Sequence, residues 1–91
     1  MSDTVVRYLV LAMRRPGFRE EAVAPHLDYL DGLRARGLLA MTGGFSDRSG
    51  GAYVLENVGG LDQARAIAAA DPLALSGSSD LTVHEWNTRR A

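Results

Sequence analysis

Two residues of this 91-residue chain, His26 and His84, can exchange a proton near neutral pH. Histidine titrates there in its ordinary state, so it can serve as general base and general acid in turn. His26 lies four residues before Leu30 and seven before Leu33. On a helix that spacing sets the ring along the rim of an apolar stripe, half dry and half accessible. The alternative is a rim histidine bonded to backbone. His84 alternates with Thr82 and Trp86, as expected of a packing or interface residue on a strand. Asp71 precedes Pro72, the natural pairing of a helix N-cap with a first helical residue. It also follows a helix, where the dipole disfavours a carboxylate unless a cation such as protonated histidine stands near.

Ser46, Asp47, Arg48 and Ser49 form a polar run fit for a ligand's polar group or, as a simpler reading, a solvated hairpin tip. Gly43 either admits a ligand close to the backbone or marks a bulge. No metal is expected, since two histidines lack ligand spacing and there is no cysteine. No cofactor is expected either, because the glycines of Gly43 to Gly51 join two strands and lead into no helix.

The elements that hold these residues follow from periodicity. Val5 to Met13 reads as a strand apolar on both faces. Arg14-Arg15-Pro16-Gly17 is a turn, and a helix begins near Ala22 to Ala24 so that Pro25 falls in its first turn. Val23, Leu27, Leu30 and Leu33 are its expected sheet-facing stripe, and Gly37 is its left-handed stop. Leu38 to Thr42 and Ala52 to Glu56 are the next strands, joined by the glycine-rich hairpin Gly43 to Gly51. A second helix spans Leu61 to Ala70, ended by Asp71-Pro72, with one further turn over Leu73 to Ser76. The last strand is Leu81 to Trp86. The order β-α-β-β-α-β is the split βαβ of ferredoxin-like folds. The expectation is a single α+β domain over residues 1–91, an antiparallel sheet with two helices on one face. Strands apolar on both sides predict that the other face is covered too, most simply by a second copy in a homodimer.

Composition narrows the function classes. The net charge is −1, with 10 basic residues spread along the chain and no lysine, so nucleic acid is not expected as a partner. The apolar run near Leu9 to Met13 is too short for a membrane span, and Asp3 before it does not fit a secretory leader. Absence of cysteine accords with a reducing compartment, and a cytoplasmic protein is the expectation.

Taken together, the apolar first strand, His26-Leu27-Asp28-Tyr29-Leu30, Gly37-Leu38-Leu39, Gly43, the hairpin through Gly50-Gly51, Ala64 and Asp71-Pro72 resemble the YCII-related family over nearly the whole chain. The resemblance implies a ferredoxin-like dimer of the dimeric α+β barrel type, with a pocket near the sheet. It implies a His–Asp pair, carried here by His26 and Asp71; Gly43, Phe45 and Ser46, at the glycine-rich hairpin, are the candidate substrate contacts. Some members resemble dehydrochlorinases of chlorinated hydroxyquinones. Gly44 and Leu73 depart from the family pattern, which usually has a proline and an aromatic residue there. The expected function is a cofactor-independent lyase or isomerase using His26 and Asp71 on a small cyclic or aromatic-derived ligand. The alternative is a non-catalytic dimeric binding or accessory domain.

Overall fold

The computed structural model describes residues 3–90. A four-stranded antiparallel sheet in the order β2-β3-β1-β4 is built from β1 (Thr4–Arg14), β2 (Leu39–Gly44), β3 (Gly50–Leu55) and β4 (Ser79–Arg89). α1 (Val23–Ala35) joins β1 to β2, while α2 (Leu61–Ala69) and the single turn α3 (Pro72–Leu75) join β3 to β4. This is the expected α+β ferredoxin-like arrangement. No helix of the described residues is long and apolar enough to cross a membrane.

Side-chain alternation on β1 decides which sheet face the helices cover. Tyr8, Val10 and Ala12 are buried, and across β3 they face Leu55, Tyr53 and Gly51. Leu30 and Leu33 of α1 and Ala64 and Ile67 of α2 complete one core with Tyr8, Val10, Tyr53 and Leu55. The alanine in α2 lets its backbone lie close to the sheet. A smaller cluster of Ala12, Ala22 and Leu73, with Phe18 packed against it, fills the end of the sheet beside α3. The opposite face carries Leu9, Leu11, Met41, Val54 and Trp86, with Met41 66% and Trp86 46% exposed.

Helix boundaries follow local chemistry. A 3₁₀ turn, Glu20–Ala22, precedes α1, and Pro25 is the third residue of that helix, where its missing N–H would have had no helical acceptor. At the other end Gly37 takes φ +74°; its N–H donates to the Arg34 carbonyl, and that of Leu38 to the Leu33 carbonyl. This is a Schellman stop.

Three local expectations are corrected. Leu27 is 52% exposed and does not join the stripe under α1, because the helix packs through Leu30 and Leu33 and turns Leu27 toward an open cleft. β4 extends well beyond Leu81 to Trp86, since all 11 residues of β1 pair with it from Thr4↔Arg89 to Arg14↔Ser79. That pairing recruits polar residues that strand propensity alone would leave out. The hairpin is tighter than Gly43 to Gly51: Gly44 pairs with Gly51, leaving only residues 45–49 as the loop. Glycine is required in this ladder, because a Cβ at Gly50 would overlap the Ala12 carbonyl oxygen and one at Gly51 would lie 2.5 Å from that of Gly43.

Candidate active site

Three elements converge at the α3 end of the sheet. α1 contributes His26 from its first turns, the α2–α3 junction contributes Asp71, and the middle of β3 contributes Tyr53. Asp71 is completely buried. A buried carboxylate is tolerated only when donors satisfy its oxygens, and three do so here. Its Oδ1 accepts the Leu73 N–H at 2.8 Å and lies 2.9 Å from His26 Nδ1. Its Oδ2 accepts the Tyr53 hydroxyl at 2.9 Å and lies 3.0 Å from the same imidazole nitrogen. Asp71 is thus at once the N-cap of α3, with Pro72 at the first helical position, and the partner of His26. Cap and orienting group coincide in one side chain.

This geometry sets the imidazole. A carboxylate has no proton to give, so Nδ1 of the neutral ring must be the donor and Nε2 is left with its lone pair. Nε2 makes no hydrogen bond among the described residues, and the ring lines a cleft of about 250 Å³. Phe18, Val23, Leu27 and Leu73 give that cleft apolar walls, and Gly43, Gly44, Gly50 and Gly51 bring bare backbone to its edge. Its polar contributors besides His26 are Arg14, Thr42, Tyr53 and Ser79. A cavity of 150 Å³ holds benzene, so this volume suits one substituted ring.

Tyr53 is 2% exposed and sits 6.1 Å from the His26 ring, centroid to centroid. Burial, then the charge and hydrogen bond of Asp71, push its hydroxyl far above the ordinary phenol range, so it is a fixed donor. Tyr29 fastens α1 to α2 through its hydroxyl, which donates to the Ile67 carbonyl at 2.7 Å. Its pKa is raised too, first by burial and then by Asp71.

The sequence candidates fall into two groups. His26 and Asp71 are in direct contact, and Gly43 lies on the cleft wall. Phe45 and Ser46 stand in the hairpin loop outside the lining. The loop's own polar groups bond to each other, Asp47 accepting both the backbone N–H and the hydroxyl of Ser49. His84 is exposed on the open sheet face, opposite Leu9. Sequence reasoning missed Tyr53, although a tyrosine on the helix-covered side of a central strand needs a buried partner for its hydroxyl, which was the available signal. It also missed Arg14, read as part of a turn, and Ser79, which lies between the last turn and the expected last strand. Among the described residues no group of three or more His, Asp or Glu is placed to hold a metal ion.

Comparison with known proteins agrees with this architecture. The family model described as the YCII-related domain matches residues 6–87. An uncharacterised protein of Bacillus subtilis (strain 168), YjpA, is 49% identical over 83 residues, which is 91% of this chain and 96% of that protein. Among solved structures, 5-chloro-2-hydroxyhydroquinone dehydrochlorinase (TftG) from Burkholderia phenoliruptrix AC1100, in complex with 2,5-dihydroxybenzoquinone, superposes with a TM-score of 0.73. It is 24% identical, and the match covers 89% of this chain and 93% of that one.

Proposed function

Since the chain belongs to the YCII-related domain family, we propose that it is a small cofactor-independent enzyme performing elimination or isomerisation on a single-ring substrate. The observation that carries this reading is the 2.9 Å contact between His26 Nδ1 and fully buried Asp71, with the ring's other edge on an apolar cleft. Nε2 of His26 takes a proton from a ring carbon or hydroxyl of the substrate. The released electron pair forms a new π bond, and a leaving group on the conjugated carbon departs with its bonding electrons. In isomerisation the proton returns from His26 to another atom of the ring. Asp71 stabilises the imidazolium formed in between, and Tyr53 and the Leu73 N–H hold Asp71 in place. The dehydrochlorinase activity in the name of the structural relative lends support to the elimination branch. Chlorinated hydroxyquinones and single-ring acids test the proposal, with chloride release and deuterium uptake from heavy water as readouts. Neither signal from any of them would count against it.

A second reading, a non-catalytic binding or accessory domain, is favoured by the capping role of Asp71, which gives the His26–Asp71 link a structural purpose of its own. Substitution of His26 separates the two readings.

The protein also acts, in this proposal, as a homodimer in the cytoplasm. The uncovered sheet face, with Leu9, Leu11, Met41 and Trp86, is the surface a second copy would bury. Light scattering after size exclusion at micromolar concentration is expected to give twice the 9.8 kDa chain mass. Trp86→Lys and Met41→Lys together are expected to shift it to the monomer; a monomeric wild type would refute the dimer.

A further inference from the structure

The cleft has a second polar corner, where β1 and β4 meet. Arg14 and Ser79 are direct partners across that antiparallel pair, and both line the cleft. Ser79 is 5% exposed, and its Oγ is the one buried side-chain polar atom of the described residues without a hydrogen-bond partner. A buried hydroxyl left unpaired is costly, and a ligand group reaching Ser79 from the cleft it lines would relieve that cost. Beside it the Arg14 guanidinium carbon stands 4.0 Å from the centre of the Phe18 ring. Like several other arginines of the chain, Arg14 enters no ion pair among the described residues. Among the described residues no carboxylate lines the cleft. One unpaired cation and one unpaired hydroxyl therefore share a corner of a pocket whose walls are mostly apolar.

We propose that Arg14 and Ser79 form an oxyanion subsite, so that the ligand of this cleft is a single ring carrying an anionic oxygen, a carboxylate or an enolate. The guanidinium supplies charge and donors and the serine hydroxyl a further donor. Phe18 holds the guanidinium over its ring face and limits the positions it can take. The subsite rests on the reading of the His26 cleft as a substrate site and adds the charge of the substrate. It would hold one end of the ring while Nε2 reaches a proton elsewhere on it.

Benzoate and benzamide, nearly equal in shape and different in charge, are the probes, with affinity and amide shifts read by ¹H–¹⁵N NMR. Wild type is expected to favour benzoate by on the order of tenfold, as charge-assisted hydrogen bonds warrant, with shifts at Arg14, Ser79 and the start of α1. Arg14→Gln is expected to erase that preference while leaving benzamide binding in place. Ser79→Ala is expected to weaken benzoate yet leave the melting temperature of the free protein unchanged or raised, because it deletes an unsatisfied group. Equal affinity for both probes at the cleft, indifferent to either substitution, would overturn the subsite and leave the cleft intact. Failure of both probes to shift any residue of the cleft would overturn the subsite together with the reading of the site.

Discussion

Asp71→Ala is expected to lower the free energy of unfolding by about 3–5 kcal/mol, since each buried donor it orphans costs roughly 1–3 kcal/mol. The magnitude follows from what the carboxylate leaves behind. The Tyr53 hydroxyl, the Leu73 N–H and His26 Nδ1 all lose their acceptor, a carboxylate that is itself fully buried. α3 loses its N-cap at the same stroke, itself worth on the order of 1 kcal/mol. For a domain of this length each kcal/mol moves Tm by roughly 4–8 °C, so a fall on the order of 20 °C should appear in a thermal melt. Asp71→Asn keeps one acceptor oxygen for the cap and should cost clearly less. A melt of Asp71→Ala within a few degrees of wild type would mean that the convergence of donors does not hold this end of the fold together.

His26→Gln is expected to behave in the opposite way. Glutamine retains a donor able to reach Asp71 and keeps similar bulk at a side chain that is 14% exposed, so stability should change by only about 1 kcal/mol. Turnover, followed as chloride release or deuterium uptake, should fall on the order of 10²–10⁴-fold, the usual contribution of a positioned general base. The combination is what matters: a large loss of rate in a folded protein marks the imidazole as chemical. A variant that melts far earlier while its remaining folded fraction still exchanges substrate protons would favour the structural tie.

How much of this was legible in the sequence depends on the range of each interaction. The position of His26 at the edge of a packed face came from spacing to Leu30 and Leu33, and the structure buries both of those leucines. Gly37 as a helix stop was legible because a left-handed residue followed by an apolar run is a local signature. Leu27 was misread since helical periodicity fixes a stripe's spacing but not its width, and the cleft removes one neighbour from that stripe. The length of β4 was hidden because pairing with β1 places residues such as Asn87 and Thr88 in a ladder they would not form alone. Gly44, Gly50 and Gly51 looked like loop residues, and the reason they belong to strands is a close backbone approach that only the folded sheet creates.

The site divides along the same line. The cap at Asp71-Pro72 is a two-residue signal and was read directly. Its contact with His26 spans 45 positions and has no periodicity to announce it, so only family resemblance brought the two residues together in advance. Tyr53 is the intermediate case: alternation along β3 gives its face, but the identity of its acceptor requires the return of the chain after α2. The unpaired hydroxyl of Ser79 is further still from the sequence, since being unpaired is a property of the finished packing.

In this structure the buried carboxylate of Asp71 holds one imidazole nitrogen of His26 and leaves the other free of hydrogen bonds among the described residues, on a ring that lines the cleft. The long-range ¹⁵N–¹H spectrum of the histidine rings at a pH where His26 is neutral tests it most directly, with exposed His84 as the internal reference. His26 should carry its proton on Nδ1, and Asp71→Asn should move the proton toward Nε2. A proton on Nε2 in the wild type, with a pattern matching His84 and unchanged in Asp71→Asn, would contradict the account.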